Sequence, residues 1–106
     1  FLAPMKSIIA RLDFETLSEL DIQKDKCGPY KYAEHPSTKV NTLSWKFSNS
    51  PKMFTWCRWR PRANFDALMD LCEFIEDGGI VKSHNVEFEL AVWNYCFARQ
   101  IKELLK

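Results

Sequence analysis

The chain of 106 residues is 46% apolar and 14% aromatic, which indicates one small globular domain spanning residues 1–106. Its formal net charge of +1 excludes a strong overall attraction to nucleic acid or to a membrane, so either kind of binding needs a local patch. The apolar runs are too short for a membrane span or a secretory signal, and we therefore expect a cytoplasmic protein. We also expect Met5 to be the natural start and residues 1–4 to be a cloning remnant.

The first half of the chain predicts three strands and one long loop. The segment SIIARLDF is aliphatic and β-branched and ends in acid, as a buried strand does. A charged loop, TLSELDIQKDKCGPYKYAEHPSTKV, follows it, and Gly28-Pro29 interrupts any regular pattern there. TLSWKFS alternates apolar and polar positions, and KMFTWCRW follows the turn signal NSP, so the pair predicts an antiparallel hairpin.

The second half predicts two helices around a short strand. RPRANFDALMDLCEFIEDGG carries apolar residues at helical spacing, with Asn64 as its N-cap and Gly78-Gly79 at its end. IVKSHN is a short strand, and VEFELAVWNYCFARQIKELLK is a second helix. An antiparallel meander, followed by a helix and by a strand that returns beside the first, predicts an α/β layer fold.

The segment CRWRPR, residues 57–62, admits two interpretations. Its arginines, together with Trp59 and the preceding Trp56, suit a single nucleic-acid strand, because guanidinium groups meet phosphates and rings stack on bases. Alternatively the segment is a hairpin end with solvated arginines and core tryptophans, and we favour this second interpretation. The predicted aromatic core comprises Trp45, Phe54, Trp56, Trp93 and Phe97.

Four cysteines lie far apart and form no CxxC pair, namely Cys27, Cys57, Cys72 and Cys96. Zinc sites and redox motifs usually have closely spaced cysteines, so this spacing argues against both. We expect reduced and mostly buried thiols, with two disulfides as the alternative.

Two acids one residue apart end the first strand. Side chains alternate across a strand, so Asp13 and Glu15 project to one side while Phe14 points into apolar packing. Two neighbouring carboxylates repel each other unless a cation lies between them, and a few carboxylates suffice to hold a hard ion such as Mg²⁺. Two such ions about 4 Å apart can serve phosphodiester cleavage. The alternative is that Glu15 caps a turn while Asp13 is half exposed.

A second polar group, HNVEFE, stands where the short strand passes into the second helix. If this strand lies beside the first one, Glu89 can reach Asp13 and Glu15. Asn85 can position a phosphate or brace the loop, and its alternative role is the N-cap of the helix. His84 can contact a substrate, or pack at the end of the strand.

These motifs resemble the proofreading 3′–5′ exonuclease domain of family A DNA polymerases, especially the phage type, which belongs to the DEDD exonucleases of the ribonuclease H-like fold. DFET, residues 13–16, stands where the first exonuclease motif has D-x-E. Residues 85–89 stand where the second motif has an Asn, a spacer, an aromatic residue and an acid. GPYKYAEHPST is similar to a stretch in phage members, and the resemblance covers about residues 8–93.

The resemblance implies a ribonuclease H-like mixed sheet in a phage-encoded or bacterial protein. It implies hydrolysis of single-stranded DNA from the 3′ end with two divalent cations, Mg²⁺ or Mn²⁺. Asp13, Glu15 and Glu89 would be the catalytic residues and metal ligands. The implied substrate-binding residues are Thr16, Leu17, His84 and Asn85.

Two features depart from the family pattern. The second motif usually ends in Asp, whereas this chain has Glu89, whose longer arm can still bind a metal. The third motif, a Tyr or His followed by an Asp, is missing, because no Asp follows Asp77. We therefore expect a domain that is incomplete at its C-terminus and weak or inactive alone. A further segment, or a second chain in a homo-oligomer, would complete it.

Two other interpretations stay open. The chain can be a non-catalytic, nuclease-derived module that binds DNA or a partner protein. It can also be an unrelated small α/β domain, in which case the motif matches are accidental.

Overall fold

The structure, a computed structural model, describes residues 8–105, so the expected remnant at residues 1–4 and start at Met5 lie outside it. The chain folds as a mixed α/β domain with one four-stranded sheet. The elements in chain order are β1 (Ile9–Leu17), α1 (Pro29–Glu34), β2 (Lys39–Phe47), β3 (Met53–Cys57), α2 (Phe65–Glu76), β4 (Ile80–Lys82), α3 (Val86–Ala91), a π-helical segment (Val92–Phe97) and α4 (Ala98–Leu104). Within residues 8–105 no helix has the length and apolarity to cross a bilayer.

The sheet combines antiparallel and parallel pairing. Its strand order is β3-β2-β1-β4, in which β2 is antiparallel to both β1 and β3. Strand β4 returns beside β1 in parallel, through the pairs Ile9 with Ile80 and Arg11 with Lys82. The predicted hairpin, and the predicted return of a strand beside the first, are both confirmed.

The two faces of the sheet differ because β1 alternates strictly. Ala10, Leu12 and Phe14 are buried on the inner face, where the helices pack, whereas the residues between them are exposed. We call the other side the open face, defined by the β1 residues Arg11, Asp13 and Glu15 and by their cross-strand partners. The alternation follows from the two-residue period of a strand.

Aromatic rings fill the space between the inner face and the helices. Trp45, Trp56 and Phe97 are 2% exposed or less, and the rings of Trp56 and Phe97 meet edge to face at 5.0 Å. Phe54 and Trp93 are partly buried against the same cluster, so the predicted aromatic core is confirmed. Each edge-to-face pair stabilises the core by about 1 kcal/mol beyond the area it buries.

Helix α2 begins after Asn64 and ends before Gly78-Gly79, as the sequence predicts, but the role of the Asn64 side chain differs from the expectation. Asn64 is the N-cap residue by position and lies in the left-handed region with φ of 59°, but its side chain makes no capping hydrogen bond. Its Nδ2 instead donates to the Thr55 carbonyl at 2.9 Å, which ties the helix to β3. At the other end Gly78 has φ of 85°, which favours glycine, and a Cβ on Gly79 would collide with the Phe74 ring.

The segment between β1 and β2 is not an unbroken loop, which corrects the sequence prediction. Pro29 begins the short helix α1, a position that suits proline because its missing N–H needs no partner there. Tyr32 is buried on this helix and lies 5.8 Å from the Phe88 ring of α3. Thr38 closes the segment, since its Oγ1 donates to the Tyr32 carbonyl at 2.6 Å.

The predicted second helix is confirmed from Val86 to Leu104, but its middle turn is π-helical, and the last predicted residue lies outside the described residues. A π turn adds a residue and rotates the later side chains relative to an α-helix. Tyr95 is therefore 44% exposed, although a continuous α-helix would place it on the apolar side, while Cys96 and Phe97 are buried. After this turn Gln100 reaches β2 and bonds both the N–H and the carbonyl of Val40, at 2.6 and 3.1 Å.

A β-bulge in β2 lies next to these bonds. The register with β1 shifts between Glu15, opposite Thr42, and Thr16, opposite Val40, which leaves Asn41 as the extra residue. The bulge allows Val40 and Leu43 to face the core although they are three residues apart.

Candidate active site

Two of the three proposed catalytic acids lie side by side on the open face. Asp13 is opposite Ser44 of β2, and Glu15 is opposite Thr42, immediately before the bulge. Both acids are exposed, whereas Phe14 between them is 6% exposed in the core. The predicted projection of the two carboxylates to one side is therefore confirmed, and neither side chain is fixed by packing.

Glu89, the third acid, lies at the edge of β1 because strand β4 is short. Strand β4 pairs with β1 only as far as Arg11, so the edge of β1 beyond that residue has no strand partner within residues 8–105. Helix α3 starts there and brings Glu89 to this edge, where the backbone N–H of Phe14 donates a hydrogen bond to its carboxylate. Glu89 is 7% exposed, and it lines a mostly apolar cavity of about 140 Å³ between α3 and β4.

Burial and like charge act together on Glu89. Burial raises its pKa most, the charge of Asp13 raises it further, and Glu15 adds a smaller contribution in the same direction. The Phe14 N–H lowers it only in part, and the net result is a pKa raised from 4.5 to about 7. Oε2 of Glu89 is buried and has no hydrogen-bond partner among residues 8–105. At neutral pH this carboxyl group therefore needs either a proton or a cation.

The donor chemistry fits a hard divalent cation, since carboxylate oxygens are the ligands that Mg²⁺ and Mn²⁺ take. A buried carboxylate oxygen without a partner, in the field of two further carboxylates, is the kind of group that such an ion satisfies. Within residues 8–105, however, no three His, Cys, Asp or Glu side chains are arranged to hold a metal ion as they stand. Binding would therefore require the exposed carboxylates of Asp13 and Glu15 to rotate toward Glu89.

The proposed substrate-binding residues occupy different environments. Asn85 caps α3, because its Oδ1 accepts from the N–H of Phe88 at 3.2 Å, which confirms the capping alternative and leaves its Nδ2 exposed. His84 beside it is exposed and does not pack at the strand end. On β1 the Thr16 hydroxyl is bonded to the Tyr32 hydroxyl at 2.9 Å.

The end of β1 carries Leu17, and a residue that the sequence did not indicate, Tyr32, contacts this strand end. Leu17 is 59% exposed, so an apolar side chain stands in solvent at the end of β1 next to the acids. Tyr32 braces this strand end through Thr16, and sequence reasoning missed it. The available signal was Gly28-Pro29, which marks a helix start as well as a loop.

The two tryptophans at the segment CRWRPR agree with different interpretations: one is in the core, and the other is exposed. Trp56 is 2% exposed in the core and donates from Nε1 to the Pro61 carbonyl at 3.0 Å. Trp59 is 64% exposed, and the Arg58 guanidinium lies 5.2 Å from its ring centroid. One tryptophan is thus structural, and the other is available on the surface.

All four cysteines are unpaired thiols. Cys27 and Cys96 are buried, and burial raises the pKa of the Cys96 and Cys72 thiols, which disfavours the reactive thiolate form.

Comparisons of this chain with protein-family models, with curated proteins and with solved structures found no match. The resemblance to phage-type exonucleases therefore depends on the sequence motifs alone.

Proposed function

We propose that the chain is the N-terminal part of a phage-type 3′–5′ exonuclease domain of the ribonuclease H-like fold, acting on single-stranded DNA with two divalent cations, Mg²⁺ or Mn²⁺. The observation that carries the proposal is Glu89, a buried carboxyl group with an unpartnered oxygen, whose pKa is raised by burial and by the charges of Asp13 and Glu15. A protein that only needed a stable fold would gain from a neutral residue at this position.

The sheet supports the proposed fold. The resemblance implies an antiparallel meander, a helix, a parallel strand and a further helix, and the order from β1 to α3 agrees with this apart from helix α1 between β1 and β2. The two motif segments are 70 residues apart in the chain, yet both contribute to the edge of β1 beyond β4. This topology brings the buried Glu89 close enough to Asp13 and Glu15 for their charges to raise its pKa.

In the proposed mechanism Asp13, Glu15 and Glu89 would hold the cations, and the raised pKa of Glu89 is what favours a cation there. The ions would activate a water molecule and stabilise the leaving oxygen of the phosphodiester. Before they bind, Glu89 carries a proton for much of the time near pH 7, so binding releases that proton to solvent.

The substrate would be held around these acids. Leu17 offers an exposed apolar contact for the terminal base, and Thr16 is fixed by Tyr32 beside it. The exposed Nδ2 of Asn85 and the ring of His84 are hydrogen-bond donors for a phosphate.

The proposed site needs one more acid. The sequence after Tyr95 contains no Asp, so a fourth carboxylate would come from a further segment or from a second chain in a homo-oligomer. The chain by itself should therefore hydrolyse DNA weakly or not at all.

The test is degradation of a 5′-labelled single-stranded oligonucleotide with Mn²⁺, Mg²⁺ or EDTA. The Glu15→Ala protein is the control for contaminating nuclease. A ladder of 3′-shortened products that disappears in EDTA and in Glu15→Ala would support the proposal and indicate a site completed between chains. Calorimetric titration with Mn²⁺ tests the cation site when there is no ladder, and equal heats for wild type and Asp13→Ala would refute the metal assignment.

One observation favours the alternative of a non-catalytic, nuclease-derived module that binds DNA or a partner protein. The acids of residues 8–105 do not form a ready group of three metal ligands. Absence of any Mn²⁺ or Mg²⁺ binding by the folded chain would favour this alternative.

A further inference from the structure

The register of the sheet places three cations in one row on the open face. Arg11 of β1 is the cross-strand partner of Lys46 on β2 and of Lys82 on β4. Cross-strand partners project to the same face, and all three side chains are exposed. Neighbouring strands are about 4.8 Å apart, so the row spans about 10 Å of the surface. We call these three residues the basic row.

The basic row is unfavourable for the fold alone. Like charges directly opposite each other on neighbouring strands destabilise a sheet. Within residues 8–105, none of the three cations forms an ion pair or a hydrogen bond through its side chain. The open face thus holds three cations without an ion-pair partner among the described residues, and an anionic ligand would neutralise them.

The basic row and the proposed catalytic acids follow each other along β1 on the same face. Asp13 lies two residues along β1 from Arg11 on the same face, at a distance of about 7 Å along the strand. Glu15 lies the same distance further on. Moving along β1 on the open face, one therefore passes from the basic row to the proposed catalytic acids.

A cleft adjoins the row at the hairpin. Its volume is about 430 Å³, and its walls include Arg11 and Lys46 together with the polar turn residues Ser48, Asn49 and Ser50. Cationic side chains beside hydroxyl and amide groups supply the donors that phosphate oxygens accept.

We propose that the basic row binds the phosphate backbone of a single-stranded nucleic acid lying along the open face. The inference rests on the proposed function for the class of ligand, and it adds the path by which the strand approaches Asp13 and Glu15. A protein with a formal net charge of +1 has little general attraction for nucleic acid, so a local row is what such binding requires. Recognition is of phosphate, so DNA and RNA strands are both ligands of the row.

The expected signature is a salt dependence. Each phosphate neutralised on a single strand contributes about 0.7 to the slope of log K against log salt. Loss of three contacts should lower the slope by about 2, and should weaken binding on the order of 100-fold at about 0.1 M salt.

The experiment measures fluorescence anisotropy of labelled poly-dT and poly-U oligonucleotides with the full chain in EDTA, over a range of salt concentrations. The test variant is Arg11→Gln/Lys46→Gln/Lys82→Gln. The matched control removes the same charge from exposed lysines in the loop before α1, in α1 and in α4, as Lys24→Gln/Lys31→Gln/Lys102→Gln. Thermal unfolding accompanies each variant, and the row variant should melt at or above the wild-type temperature because its like charges are gone.

The proposal would be supported if only the row variant binds both oligonucleotides more weakly and shows a smaller slope of log K against log salt. Equal weakening of the two triple variants would overturn it, because net charge would then explain the effect. Unchanged binding of the row variant would overturn it as well. Binding is measured in EDTA, which prevents hydrolysis, so this test does not depend on nuclease activity. If the basic row binds as expected but the protein produces no ladder of shortened products, this inference holds while the exonuclease proposal fails.

Discussion

Replacing Glu89 by glutamine should stabilise the fold at alkaline pH more than at acid pH. The pKa of Glu89 is about 7 in the folded protein, because of burial and of the charges of Asp13 and Glu15, against an ordinary 4.5 in the unfolded chain. Below pH 4.5 the group is protonated in both states, and its contribution to stability is intact. As the pH rises through about 7 the folded state takes on a buried charge, and that contribution is lost.

The magnitude follows from the two pKa values. Their difference, 7 less 4.5, corresponds to about 3 kcal/mol in the free energy of unfolding, at about 1.36 kcal/mol per pKa unit. Glutamine has nearly the same shape and cannot ionise, so the variant lacks this pH-dependent loss. The cost of burying its amide is the same at every pH, and it cancels when two pH values are compared.

The assay is urea unfolding of wild type and Glu89→Gln in EDTA, at about pH 4 and about pH 8. The gain of the variant over wild type should be larger at the higher pH by up to about 3 kcal/mol. Glu87→Gln is the matched control, since Glu87 lies on the same helix turn but is exposed, and it should show no such change. If the gain of Glu89→Gln is equal at the two pH values, the reasoning about a buried carboxylate is refuted.

Four other predictions concern the site and its supports. Mn²⁺ should raise the melting temperature of wild type at about pH 8 and leave Asp13→Ala unchanged, by the linkage of binding to stability, and equal shifts would contradict the metal site. Asn85→Ala should cost about 1 kcal/mol in urea unfolding through loss of the α3 cap. Gln100→Ala should cost about 2 kcal/mol, because it leaves the Val40 N–H without its partner, and a neutral result would mean that water replaces the bond. Gly79→Ala should lower stability by about 1–3 kcal/mol, since the added methyl group meets the Phe74 ring, and an unchanged midpoint would show that the ring moves freely.

The sequence predicted those features of the sheet that depend on neighbouring residues of one strand or on the order of the elements. Alternation along residues 9–17 was enough to assign Asp13 and Glu15 to one face, because a strand has a period of two. The parallel return of β4 followed from the order of elements and from the usual connection rules. The contact between Glu89 and the edge of β1 was expected only on the condition that β4 pairs there, since no local pattern specifies which strands are neighbours.

The features that the sequence did not predict have different physical causes. Asn64 is a good N-cap residue, but its side chain bonds Thr55 on β3 instead. The π turn cannot be read from residues 92–97, whose composition suits an α-helix equally well. The basic row was invisible because its members are far apart in the chain, and only the register of three strands brings them together.

The bulge in β2 determines where related sequences of this domain could differ in length. Deleting Asn41 would restore one-to-one pairing with β1 and would keep Val40 opposite Thr16 on the core face, because Val40 and Leu43 would then be two residues apart. Val40 would keep both bonds to Gln100, whereas the bend and the extra twist that a bulge gives a strand would be lost beside Glu15. Length differences between related sequences should therefore be found at position 41 as well as in the turn at residues 48–52.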